Sequence, residues 1–218
     1  MTAQDDIFTA AEIRTRARNV LAQDDPAGVF ARNGDQMPSD FELNPGTKYA
    51  SGAVLKPAAV LVPIINKTSH ASVLLTQRSQ HLPTHAGQVS FPGGKIDAQD
   101  KTPLEAALRE TEEEVGLARD FVEILGFLDP YETGTGYRIL PVVGLIEPGF
   151  TLQAEPGEVD EIFEVPLAHL MSPENHEIHA RTFSGVERRF HAMAYENRFI
   201  WGATAGILKN LYNRLYRV

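Results

Sequence analysis

The stretch from Gly93 to Leu117, GGKIDAQDKTPLEAALRETEEEVGL, constrains this chain more than any other. Thr102 has the chemistry of an N-cap, Pro103 follows at the first helical position, and Glu105 stands three residues after the cap, the spacing of a capping box. Leu104, Ala107, Leu108, Thr111 and Val115 recur at helical intervals as a mostly apolar stripe. Gly116 then stands where a left-handed residue closes a helix. The spacing predicts a helix that begins at Pro103 and stops before Gly116. On it Glu110, Glu113 and Glu114 occupy i, i+3 and i+4, within an arc of roughly 100°.

Three carboxylates on one helical face repel one another. A hard divalent cation that prefers oxygen ligands, Mg²⁺ or Mn²⁺, removes that repulsion, and a phosphate substrate is its usual partner. The triplet lies away from the centre of the apolar stripe, which predicts that it faces a cleft or solvent. Arg109 is placed to pair with Glu113 at i, i+4, and Glu112 projects to another side. An acidic helix face alone is ordinary surface. The preceding Phe91-Pro92-Gly93-Gly94 changes the reading, because paired glycines let backbone approach a ligand or ion closely and Gly94 can offer a carbonyl as an oxygen ligand.

This order resembles the Nudix box of the Nudix hydrolases, G-x5-E-x7-R-E-U-x-E-E-x-G-U, where U is usually aliphatic. Gly94 opens it, Arg109-Glu110 and Glu113-Glu114 form its charged core, and Gly116-Leu117 close it. The first acid is Asp100, the gap from it to Arg109 is one residue longer than in the common form, and Thr111 stands where an aliphatic residue is usual. Upstream, LLTQRSQHLPTHAGQVSFPGG is similar to the signature of the coenzyme A pyrophosphohydrolase subgroup, L-L-T-x-R-S-x3-R-x3-G-x3-F-P-G-G, with Pro83 in place of the second arginine. Weaker similarity extends the match from about Pro57 to about Tyr216.

The resemblance implies a metal-dependent hydrolase that cleaves the pyrophosphate of a nucleoside diphosphate linked to another group, here coenzyme A to 3′,5′-ADP and phosphopantetheine. Glu110, Glu113 and Glu114, with Gly94, are the expected metal site. Glu113, Arg109 and Glu158 are the expected catalytic residues, Arg109 orienting a ligand carboxylate and Glu158 reaching in from a loop as ligand or base. Glu158 reads equally well as a solvated turn carboxylate. Arg78 either forks onto phosphate oxygens or forms a surface salt bridge. His85 either meets substrate or bonds within its loop. Tyr137 either stacks on adenine or packs as a strand residue, and Arg138 is a further phosphate candidate. Two rivals stand beside this reading: a pyrophosphohydrolase of ADP-ribose, dinucleotides or nucleoside triphosphates, and a catalytically silent nucleotide-binding regulator. Three intact, mutually repelling acids weigh against the regulator.

With 218 residues, 43% of them hydrophobic and 22% charged, the chain can bury a full core. A net charge of −9 argues against nucleic acid as partner. The absence of cysteine excludes disulfides and thiolate chemistry. No signal peptide or membrane-spanning run is visible, so a cytoplasmic protein acting on a small nucleotide substrate is expected, its oligomeric state open. The pattern predicts one α+β domain, an α/β/α sandwich, over residues 51–218. Residues 1–50 are expected to form an N-terminal helix at Thr9–Leu21, outside the core, and an irregular stretch at Asp24–Gly52. Strands are predicted at Ala58–Ile65, Ser72–Thr76, Phe121–Leu128, Arg138–Ile146 (Pro141 at a bulge or edge) and Glu161–Val165. A hairpin is predicted around Ser184-Gly185, and a terminal helix at Thr204–Tyr216.

Overall fold

The computed structural model describes residues 6–23, 25–32, 37–49, 53–67, 70–183 and 185–217. Its helices are α1 (Ala10–Val20), α2 (Pro26–Phe30), α3 (Pro103–Val115), α4 (Leu167–Leu170) and α5 (Ala203–Leu215). Its strands are β1 (Lys56–Ile65), β2 (Ser72–Arg78), β3 (Val89–Ser90), β4 (Gly93–Lys95), β5 (Val122–Phe127), β6 (Tyr131–Glu132), β7 (Tyr137–Ile146), β8 (Val159–Pro166), β9 (Glu177–Phe183), β10 (Val186–Tyr195) and β11 (Arg198–Trp201).

The frame is the parallel pair β1–β7, in continuous register from Lys56↔Tyr137 to Ile65↔Ile146. Both strands read as apolar runs because both faces are covered. Ala59, Leu61, Leu140 and Val142 point into a core shared with Ala106, Ala107 and Val115 of α3. Val62, Ile64, Val143 and Leu145 point into a second core with Ile13 and Ala17 of α1 and Leu208 and Leu211 of α5. The mixed sheet between two helical layers is the expected α/β/α sandwich, with antiparallel β5, β2 and β8 extending it. A separate antiparallel sheet, β9–β10–β11, stands beside it.

Several expectations are corrected. The N-terminal helix forms, capped by Thr9, but it is not outside the core. Ile13 and Ala17 are fully buried against α5, and Arg14 pairs with Glu123 and Glu147. The irregular stretch contains the short helix α2, whose N-cap is Asp25. Pro141 lies neither at a bulge nor on an edge strand, since β7 runs between β1 and β5. It sits where β5 has ended and β6 not yet begun, opposite Leu128, whose N–H it accepts at 3.1 Å. At that gap its missing N–H breaks no ladder bond. The hairpin forms as predicted around its turn; Ser184 itself lies outside the described residues.

One irregularity positions the site. β1 touches β2 only at its end, Ile64↔Val73 and Ile65↔Ser72. Its first half pairs with β4 instead, from Ala58↔Lys95 to Val60↔Gly93. The sheet therefore splits between β1 and β2, and the Gly-Gly segment fills the wedge beneath α3.

Candidate active site

The wedge opens into a cleft of about 1090 Å³. At Gly93, φ is +141°, and a Cβ would strike the Ala59 carbonyl and Val60 Cα. A Cβ at Gly94 would overlap the Glu110 carboxylate. The paired glycines thus allow β4 to lie flat on β1 while α3 presses its acids against it.

The helix caps are as predicted, with Glu105 N–H donating to Thr102 Oγ1 at 3.2 Å and Gly116 left-handed at φ 69°. Glu105 returns its carboxylate to the Lys101 N–H rather than to the cap residue. Ala107, Thr111 and Val115 of the expected stripe are buried, but the buried face is rotated from it: Ala106 and Glu114 join it, and Leu104 and Leu108 are only half-buried. Thr111 fits an aliphatic position because its hydroxyl donates to the Ala107 carbonyl at 2.7 Å.

Glu114 is 2% exposed. Its Oε2 accepts the Gly93 N–H at 3.0 Å and its Oε1 accepts from Arg78 at 3.2 Å. Burial nevertheless pushes its carboxyl up to about 7; Gly93 and Arg78 oppose this, while Glu110 and Glu158 add repulsion. Glu110 is also raised, mainly by burial, with Glu113 and Glu158 repelling it and Arg109 opposing. Glu158, on the exposed turn before β8, lines the cleft with these two acids. Glu113 stands apart. Its side chain is 60% exposed, its Oε2 accepts from Arg109 at 2.9 Å, and it is absent from the cleft wall.

Arg109 gathers the acids from below. It forks onto Asp100 with two bonds of 2.9 Å and donates to Glu110 at 2.9 Å. This holds the Asp100 carboxyl below its ordinary value and the Arg109 guanidinium above its own. Asp100 thereby reaches the charged core despite the lengthened gap.

The other candidates divide. Arg78 lines the cleft, and its salt bridge is to the buried Glu114, not on the surface. His85 lines the cleft and bonds Gln88 within its loop at 2.9 Å. Tyr137 also lines it, half-buried, with Lys56 5.5 Å from its ring centroid. Arg138 is a correction. One residue along β7, it points the other way, pairing with Glu132 at 3.0 Å and donating to the Phe30 carbonyl, where it staples α2 to the sheet.

Sequence reasoning missed the far wall. It is built by a strap at Asp40–Tyr49, by Arg188, Arg189 and Phe190 of β10, and by the Trp201–Thr204 corner. Of these, only the Trp201–Thr204 corner contributes to the weaker similarity, where nothing marked it as part of a site, and only the fold brings these residues to the acids.

A model of the NUDIX domain matches residues 55–185. The chain belongs to the Nudix hydrolase family. Over 159 residues it is 45% identical to the uncharacterized Nudix hydrolase NudL of Escherichia coli, covering 72% of this chain and 81% of that one. Its match to the NudL of Shigella boydii serotype 18 has the same values. Among solved structures, a MutT/nudix family protein from Enterococcus faecalis aligns with 94% of this chain and 74% of its own at 17% identity and TM-score 0.47. The C. elegans Ap4A hydrolase binary complex aligns with 52% and 81% at 23% identity and TM-score 0.44.

This Nudix hydrolase is thus a pyrophosphohydrolase of nucleotides, and Nudix hydrolases generally use divalent metals. Its residues fit such an ion: Glu110 and Glu114 are desolvated acids on one wall, both raised mainly by burial and both repelled by Glu158. Among the described residues no three acid or histidine side chains converge on one point. No helix among the described residues is long and apolar enough to cross a membrane.

Proposed function

We propose that this Nudix hydrolase cleaves the pyrophosphate of coenzyme A or its derivatives, giving 3′,5′-ADP and phosphopantetheine. One observation carries the reading. The segment that resembles the coenzyme A signature, residues 74–94, is itself a wall of the cleft, supplying Arg78, His85, Gly93 and Gly94 to it. The volume supports it too, since about 1090 Å³ is at the upper end for a small-molecule site and leaves room on both sides of a diphosphate.

Glu110 and Glu114, with the Gly94 carbonyl, would hold Mg²⁺ or Mn²⁺, and Glu113 is the outlying acid of the set. Such an ion supplies charge neutralisation at the phosphates and a more acidic water. Glu158 accepts the proton of the attacking water at its carboxylate, because, unlike the desolvated Glu110 and Glu114 beside it on the cleft wall, it is exposed to solvent. Arg109 keeps Glu110 in place, acting through that side chain and not on substrate. Arg78 stands beside Glu114, where its guanidinium can turn to phosphate oxygens. Tyr137 offers its ring to the base.

The test is a panel of coenzyme A, acyl-coenzyme A, ADP-ribose, NADH and deoxynucleoside triphosphates with Mg²⁺ or Mn²⁺, products identified by mass. Highest kcat/KM on coenzyme A, with 3′,5′-ADP released, is expected. Turnover confined to the other compounds would overturn the substrate assignment, and turnover of none would overturn the enzymatic one.

A further inference from the structure

The far wall of the cleft holds cationic and aromatic groups that the chemistry at Glu110 and Glu114 does not use. Arg188 and Arg189 both line it. Among the described residues neither guanidinium has an ion-pair or hydrogen-bond partner, although the chain carries a net charge of −9. Arg188 is half-buried and lies directly across from Arg181 on β9, which places two guanidinium-bearing residues side by side on this wall. Asp40, an acid that lines this wall, is occupied, accepting from Tyr131 Oη at 2.8 Å and the Gly134 N–H at 2.7 Å. Glu187, one residue from Arg188 on the strand, points to the opposite face.

Phe190 and Trp201 share the Arg188 face of the small sheet and also line the cleft. Their ring centroids are 5.2 Å apart at 58°, an aromatic pair of the kind on which a purine can stack. The strap fixes this wall. Asn44 binds the Arg189 backbone through both N–H and carbonyl.

We infer that Arg188, with the Phe190–Trp201 pair on the same face of the small sheet, forms a second anion subsite for a phosphomonoester carried on the nucleotide's ribose, away from the scissile diphosphate. The inference rests on the proposed nucleotide substrate and deepens it. The acid wall takes the bond to be broken, and the arginine wall selects nucleotides bearing the extra phosphate. It also gives the loss of a cation at Pro83 a structural counterpart, because a guanidinium is supplied from another strand.

The experiment is calorimetric binding of 5′-AMP, 3′,5′-ADP and 2′,5′-ADP to the full chain, without turnover. The wild type should bind a bisphosphate at least about tenfold tighter than AMP, the worth of one charge-assisted bond. The 3′ and 2′ arms report which ribose position is read. In Arg188→Ala the preference should vanish while AMP affinity is unchanged, and Arg188→Lys should keep part of it. Equal affinities in the wild type, which need no variant to fold, would overturn the subsite. So would a preference that survives in the double variant R188A/R189A. Failure of coenzyme A cleavage with the bisphosphate preference intact would count against the substrate assignment and leave the subsite standing. Cleavage of coenzyme A and dephospho-coenzyme A at equal kcat/KM, unchanged in R188A, would do the reverse.

Discussion

Arg109 and Asp100 meet fork to fork, Nε to Oδ1 and Nη2 to Oδ2, both at 2.9 Å. The Asp100 side chain is 4% exposed. Such bidentate pairs are the strong form of the ion pair. Asp100→Asn keeps the shape and removes the charge, so it should lower unfolding free energy by about 1–3 kcal/mol, read from urea denaturation. Because the freed guanidinium would shift toward Glu110, kcat should fall as well. A variant of unchanged stability would mean that the fork contributes nothing.

Glu114 and Glu112 test the face assignment. Glu114 is buried against Gly93 and Arg78, whereas Glu112 is exposed and its carboxylate accepts from Arg119 at 3.4 Å. Glu114→Gln should reduce kcat by at least about 100-fold, the scale of losing one electrostatic contact in a site, with thermal stability equal or higher because a desolvated charge is gone. Glu112→Gln should be nearly silent in both. Similar activities in the two variants would contradict the arrangement.

Much of this was legible beforehand, for identifiable reasons. The α3 helix was readable because Thr102, Pro103, Glu105 and Gly116 are local signals whose effect needs no partner. The alternating core of β1 and β7 was readable as apolar runs. The burial of Glu114 was not, because it depends on where β4 enters the split sheet. Arg138 was misread because alternation on a strand decides which of two neighbours, Tyr137 or Arg138, meets the cleft, and composition cannot supply that phase. Arg188 and Trp201 lie far from the motif in sequence, so only tertiary packing reveals them.

Metal protection follows from the same pair of acids. Mg²⁺ or Mn²⁺ bound by the native state alone should raise stability by about 2.7 kcal/mol at a hundredfold excess over Kd. The shift in melting temperature should appear in the wild type and shrink strongly in Glu114→Gln. An equal shift in both, or none in the wild type, would place the ion elsewhere.

Neighbours on β7 should behave oppositely. Tyr137→Ala, on the cleft wall, should raise KM with little loss of stability. Arg138→Ala should lower stability by roughly 1–3 kcal/mol, since it orphans Glu132 and the Phe30 carbonyl, while KM stays near the wild-type value. Kinetics and urea unfolding on the two variants separate these outcomes, and a KM effect at Arg138 alone would reverse the assignment.

Acid sensitivity should come from the second core. His176 Nε2 donates to the Leu170 carbonyl at 2.7 Å, and Lys209 Nζ lies 3.2 Å from its Nδ1, so the neutral ring accepts from the ammonium. Burial first, then Lys209, holds His176 below the ordinary imidazole value, and His191 is lowered in the same way. The unfolded chain, with imidazoles near about 6.5, therefore binds more protons than the native state just below that pH. Stability from these groups is present above about 6.5 and is lost as pH falls toward their lowered native values. His176→Gln keeps a donor for Leu170 and cannot be protonated. Urea unfolding at about pH 7.5 and about pH 5.5 should show wild type losing more stability than the variant on acidification. Equal losses would mean that His176 is already free to protonate in the folded protein, and that Lys209 does not rely on it as an acceptor.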